Sequence, residues 1–162
     1  MSSQADRFHL ATELWQQAYE FQKNGDFEEA IRLYKESIEV LPTAEAHTFL
    51  GWTYSLLGRL DEAIEECHKA IQVDAEFGNP YNDIGAYLLQ LGKPDEAIPW
   101  LEQATEARRY ESYCFPHMNL GRIYEMKGQW KRALSEFQKA VECRPDYEEA
   151  IHALRRLQAR MN

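Results

Sequence analysis

The chain has 162 residues, 44% of them hydrophobic and 28% charged, which is enough for one domain with a real core. Its formal net charge of −9 argues against general nucleic-acid binding, which calls for a basic face. No apolar run approaches the roughly 18 residues that a bilayer-spanning helix needs, and "MSSQADRFHL" lacks the apolar stretch of a secretory signal. The three cysteines, Cys67, Cys114 and Cys143, form no CxxC pair and read as buried free thiols. These features together read as a soluble protein of a reducing, cytoplasmic compartment, with no membrane and no nucleic-acid partner.

In chain order, residues 1–10 read as an N-terminal segment or helix extension. Four related units follow, at 11–43, 44–77, 78–113 and 114–145. Each contains a glycine break: "NGDFEEAI" at 24–31, "LGRLDEAI" at 57–64, "LGKPDEAI" at 91–98 and "KGQWKRAL" at 127–134. The glycines Gly25, Gly58, Gly92 and Gly128 are 33, 34 and 36 residues apart. Five residues after each stands an alanine (Ala30, Ala63, Ala97, Ala133), and seven before it a small residue (Ala18, Gly51, Gly85, Gly121). Four before it stands Phe21, Tyr54, Leu88 or Tyr124, and Pro42 and Pro145 close the first and last units.

Each unit is two apolar-periodic stretches of roughly 14 residues around the break, and a connection this short joins antiparallel helices. Leu50, Tyr54 and Leu57 share one face, and Leu14 and Phe21 lie on the core face of the first unit. The small residues let the two helices approach closely. Glycine ends the first helix by adopting the left-handed conformation without a Cβ clash. The acids after it (Glu28 and Glu29, Asp61 and Glu62, Asp95 and Glu96) suit the positive end of the next helix and rule against a phosphate pocket there.

The third and fourth units depart from the pattern. Pro99 lies five residues beyond Pro94, so the second helix of unit three is either bent or begins later than the alignment implies. Residues 105–117, "TEARRYESYCFPH", carry the two extra residues of the 36-residue step, read as a loop insertion or as a functional edge. In unit four Lys131 and Arg132 replace the acids. Two readings stand: local neutralisation by Glu136, or a basic spot for an acidic partner. Residues 146–162 form a single amphipathic stretch with Asp146 as N-cap, Glu148 and Glu149 in the first turn and Arg155, Arg156 and Arg160 toward the end. It reads as the capping helix that repeat arrays need.

The registered small residues, aromatics, glycines and alanines over about residues 11–145 resemble the tetratricopeptide repeat (TPR) family. The resemblance implies an all-α, right-handed α-solenoid of four TPR units with a C-terminal capping helix. It also implies a non-catalytic scaffold or adaptor whose first helices line a concave groove for a protein or peptide partner. On the face of those helices not used by the core stand Trp15 and Tyr19, then Phe49 and Trp52, then Asn79, Asn82 and Asp83, and finally Met118, Asn119 and Arg122. Aromatics supply buried area and amides can pair with an extended backbone, so this set is the expected peptide-binding groove. An N-terminal segment folded back over Trp15 and Trp52 is a further arrangement to test. The chaperone-binding subfamily grips a C-terminal carboxylate with Lys and Asn on the first groove helix, Asn on the second, and Lys and Arg on the third. The matching positions here hold Trp15, Tyr19, Phe49, Asn79 and Asp83, or, one unit later, Thr48, Trp52, Asp83, Phe115 and Asn119. A heat-shock chaperone tail is therefore not an expected partner.

No catalytic residue, metal site or cofactor is expected. His47 and His117 occupy equivalent repeat positions, where unit three has Tyr81, which points to packing. Cys114 and His117 share one helical turn but have no further ligand or orienting acid in sight. The alternative function is self-association through the solenoid ends or the concave face, with Trp130, Cys114 and Phe115 as candidates for a homo-oligomer contact.

Overall fold

The computed structural model describes residues 3–162, so the first two residues of the N-terminal segment lie outside it. The described residues form nine α-helices: α1 (Gln4–Lys23), α2 (Phe27–Val40), α3 (Ala44–Leu56), α4 (Leu60–Val73), α5 (Asn79–Gln90), α6 (Pro94–Glu106), α7 (Cys114–Met126), α8 (Trp130–Cys143) and α9 (Glu148–Met161). Helices α1 to α8 pair as four antiparallel hairpins stacked in chain order, and α9 lies on α8. The result is an all-α solenoid.

Local sequence explains where the helices start and stop. Ser3 opens α1 with a reciprocal capping box: its hydroxyl accepts from the Asp6 amide, and the Asp6 carboxylate accepts from the Ser3 amide at 2.8 Å. Thr43 caps α3 in the same sense, accepting from the Ala46 amide at 3.1 Å. Pro94 needs no amide partner in the first turn of α6. Each hairpin turn carries a glycine at positive φ, 82° at Gly25, 75° at Gly58, 73° at Gly92 and 71° at Gly128. The same two hydrogen bonds recur at each. In the second hairpin the Gly58 amide donates to the Ser55 carbonyl at 3.0 Å and the Arg59 amide to the Tyr54 carbonyl at 2.9 Å. This double closure is the Schellman ending of a helix.

Inside each hairpin the small residues stand where the helices are closest. Ala18, Ala30, Ala63, Ala97 and Ala133 are wholly inaccessible. A Cβ on Gly51 would come within 2.9 Å of the Ala63 carbonyl, and one on Gly121 within 2.5 Å of the Phe137 ring. A contiguous core runs the length of the array through Tyr34, Leu50, Ile84, Leu101, Ile123, Phe137 and Leu157.

Several sequence expectations change. Phe21 is exposed, because no described helix precedes α1 to cover it, whereas its equivalents Tyr54, Leu88 and Tyr124 are buried. Gln22 is buried instead, and its side-chain carbonyl accepts from the Tyr34 hydroxyl at 2.7 Å. Leu57 is also exposed, since it already belongs to the turn that ends α3. Helix α6 starts at Pro94 and runs unbroken through Pro99, so a later start does not occur; the missing Pro99 amide leaves the Asp95 carbonyl without its usual intrahelical donor. Asp146 does not cap α9: Tyr147 takes the N-cap place, and Asp146 pairs with Arg144 at 3.3 Å. Residues 4–10 continue α1, and the Arg7 guanidinium donates to the Val40 carbonyl at 2.7 Å. They therefore do not fold back over Trp15 and Trp52.

The turn and the contact can be separated by mutation. Nothing lies within 4 Å of a Cβ built on Gly58, so Gly58→Ala should cost only the left-handed backbone conformation, about 1–2 kcal/mol. Gly121→Leu should overpack the α7–α8 contact by about 1–3 kcal/mol. Urea denaturation followed by circular dichroism measures both. An unchanged midpoint for Gly58→Ala would mean that another residue sets the turn.

Candidate functional site

The first helices of the four units, α1, α3, α5 and α7, stand side by side. Their shared face is aromatic at one end. Trp15 stacks on Tyr19 at 5.9 Å between ring centroids, and Phe49 meets Trp15, Tyr19 and Trp52 edge-on at 5.0, 5.5 and 5.8 Å. Trp15, Tyr19 and Phe49 are half-buried, while Trp52 is 42% exposed. Edge-to-face contacts of this kind stabilise the rings beyond their burial and hold them in a fixed arrangement.

Beyond the aromatics the face turns polar. A recess of about 410 Å³ is bounded by Phe49 and Trp52 of α3, by Asn79, Asn82 and Asp83 of α5, and by Tyr110, Ser112 and Phe115 beyond α6. Asn119 of α7 donates to the Asn82 side-chain carbonyl at 3.2 Å. Arg122, one turn further along α7, donates to Glu149 of α9 at 2.8 Å and reaches Asn119 at 3.4 Å. An amide and ion-pair ladder thus crosses from α5 to α9. Of the residues expected in the groove, all but Met118 share this continuous face. Met118 is 4% exposed and belongs to the core. It sits in the same repeat position as Thr48, which is also buried, at the seam where successive first helices touch.

Asp83 is the electrostatic exception on this face. It makes no ion pair among the described residues, and no side chain lining the recess is cationic. Burial pushes its carboxyl up to about 7, and the neighbouring Asn82 amide offsets only part of that.

The wall of the recess comes from residues 105–117, the stretch read from the sequence as a loop insertion or a functional edge. The extra residues of unit three double back toward the loop after α4. Arg109 donates its backbone amide to the Glu76 carbonyl at 2.9 Å and accepts from the Gly78 amide at 3.1 Å, forming a short bridge with Phe77. Its guanidinium bonds Glu45 at 2.7 Å and Asp74 at 2.9 Å and lies over the Phe77 ring at 4.3 Å. Tyr110 is thereby pressed against Gly78, where a Cβ would come within 2.4 Å of the ring, so only glycine fits. The 36-residue step is the one sequence signal for this wall.

The histidines have a structural role that residue type alone does not reveal. His47 Nδ1 lies 2.7 Å from Glu66, and His117 Nδ1 lies 2.7 Å from Glu136. Lys69 and Lys139 donate to the same two carboxylates at 2.8 and 3.4 Å. The position is thus polar in units two and four, while unit three fills it with Tyr81 against Trp100 at 6.2 Å. Glu136 is therefore not the local counter-ion of Arg132, which instead lies over the Tyr124 ring. His117 is also unavailable to Cys114, whose thiol is buried and pushed up by that burial. Trp130 is no bare end surface either, for Arg160 of α9 lies over its ring at 4.6 Å.

Comparison with known proteins agrees with this architecture. A family model described as tetratricopeptide repeat matches residues 42–110 and 76–146, and a second of the same description matches 14–42. The chain is 34% identical over 113 residues to small glutamine-rich tetratricopeptide repeat-containing protein 2 of Saccharomyces cerevisiae, covering 63% of this chain and 33% of that protein. It is 26% identical over 135 residues to the inactive TPR repeat-containing thioredoxin TTL3 of Arabidopsis thaliana, covering 80% of this chain and 20% of that one. The chain thus spans a third or less of the length of these relatives. Among solved structures, Pseudomonas aeruginosa PilF superposes with a TM-score of 0.89 at 20% identity over 96% of this chain and 70% of that one, a likeness of fold. YrrB, described as a TPR protein with an unusual peptide-binding site, superposes with a TM-score of 0.68 at 23% identity over 91% of this chain and 76% of that one.

Two pH effects of opposite sign follow. Burial would raise Glu66 and Glu136, but their histidine and lysine partners more than reverse this and leave both carboxyls lowered from 4.5. Their stabilisation is present above that value and is lost as the pH falls through the lowered folded-state value. The double variant Glu66→Gln, Glu136→Gln should flatten the acid limb of a pH–stability profile. Asp83 is raised above 3.8, so the folded state retains its proton longer and stability falls as the pH rises from there toward 7. Asp83→Asn should stabilise the free protein at pH 8 by about 1–3 kcal/mol and have little effect at pH 3. Thermal melts across pH 3–9 measure both.

Proposed function

Because the chain belongs to the tetratricopeptide repeat family, we propose that it is a non-catalytic adaptor whose concave groove binds an extended segment of a partner protein. One observation carries this reading: the aromatic cluster, the recess at Asp83 and the amide ladder form one continuous face across α1, α3, α5 and α7. Trp52 offers apolar area for burial, and Asn79 and Asn82 line the recess with amides of the kind that pair with an extended backbone. The likeness to YrrB is one of fold, and a peptide as the ligand class rests on the groove's own chemistry. No helix among the described residues is long and apolar enough to cross a membrane, and the unpaired cysteines fit a cytoplasmic setting.

Pull-down with the wild-type chain beside Trp52→Ala plus Asn82→Ala tests the groove. Partners bound there should be lost from the double variant while its helical content and melting temperature hold. Equal recovery would move the site to an end or to the convex face. The same groove should refuse the C-terminal tail peptide of heat-shock chaperones. Its first three units place aromatics, an amide and Asp83 where a carboxylate would need cations. Calorimetry should register no low-micromolar binding of that tail.

A further inference from the structure

A carboxylate taken out of water is usually paired with a cation, and Asp83 has no ion-pair partner among the described residues. The arginines of the region are already engaged: Arg122 with Glu149, and Arg109 with Glu45 and Asp74. Around Asp83 stand the rings of Phe49, Trp52, Tyr110 and Phe115 beside uncharged polar side chains such as Asn79 and Asn82, and four rings at the carboxylate weaken its hydration. An unpaired acid in such a place lowers the stability of the free protein, and a cation from outside removes that cost on binding. Aromatic faces beside a carboxylate favour a guanidinium, which can stack on a ring and donate a forked pair of hydrogen bonds at once. The net charge of −9 adds a long-range attraction for a basic partner.

Resting on the groove reading above, we infer that the partner segment is basic: an arginine, or less well a lysine, seats in the recess on Asp83 between the rings of Trp52 and Phe115. Spacing sharpens the motif. Packed helices stand about 8–10 Å apart, and an extended chain advances about 3.3 Å per residue. A side chain on Asp83 of α5 therefore lies about three residues from one on the Phe49–Trp52 surface of α3. The recognised segment carries an apolar residue about three positions from its arginine.

The probe is an immobilised array of nonapeptides with arginine, lysine, glutamine or glutamate at the centre, leucine three positions to either side and random residues elsewhere, read with the full-length chain. Wild type should prefer arginine over glutamine by at least about tenfold, the lower end for a close interfacial charge pair. Asp83→Asn, which keeps the shape of the side chain, should abolish that preference, and Asp83→Arg should transfer it to glutamate. Trp52→Ala should weaken every peptide, the arginine peptides most. If Asp83→Asn leaves the arginine preference intact while Trp52→Ala abolishes binding, the inference is wrong and the groove reading stands. If Trp52→Ala changes nothing, or wild type binds no peptide, both fail. Light scattering on the same preparations adds an independent check: a stable dimer that shuts the peptides out would assign the face to a second copy of the chain and overturn the inference.

Discussion

Everything in this molecule depends on how closely two helices can approach within one hairpin. The contact is made by residues with little or no side chain: Ala18 beside Ala30, Gly51 beside Ala63, Gly85 against Leu101 and Gly121 against Phe137. At Gly51 there is no room for a methyl group, because the Ala63 carbonyl already stands at 2.9 Å from where it would sit. The Schellman turn sets the reversal, and the small residues set the distance. With both fixed, each hairpin is a unit of nearly constant shape. Stacking such units leaves the first helices side by side and makes a concave face without further instruction.

That constancy frees the outward positions of the first helices. Phe49, Asp83 and Asn119 differ in chemistry although they hold the same place on equivalent helices, because none of them is needed to close its hairpin. The polar contact inside the hairpin shows a related freedom. His47 with Glu66, Tyr81 with Trp100 and His117 with Glu136 solve one packing position by charge-assisted hydrogen bonding or by aromatic contact. The lysines at 69 and 139 complete the polar solution by meeting the remaining carboxylate oxygens.

Most of the fold is legible in the sequence because a repeat states its rule four times. One glycine or one alanine means little, but the registered set defines the helix pairs and their turns. Departures fall where repetition stops. Phe21 reads as core by analogy with Tyr54, yet among the described residues no helix stands before the first to bury it. Met118 reads as groove because its helix face matches that of Trp15, while depth depends on the seam between adjacent units and not on the face alone. The aromatic cluster on α1 and α3 is legible from helical spacing. The wall made by Tyr110 and Arg109 is not, since it depends on where an irregular loop doubles back. Partner choice for Glu66 and Glu136 is likewise a tertiary fact with no local signature.

The loop of Arg109 alters the character of the array as well as its surface. A repeat protein ordinarily holds together through neighbours alone, and its stability spreads link by link along the chain. Here one residue fastens a backbone bridge at Glu76 and Gly78 and an ion pair at Glu45, spanning 64 positions from Glu45 to Arg109. Units two and three are thereby riveted into a single block. Separating the third unit from the second must break these contacts together. The recess is lined by residues of both units, so the surface around Asp83 takes its shape from this clasp as well as from the helices.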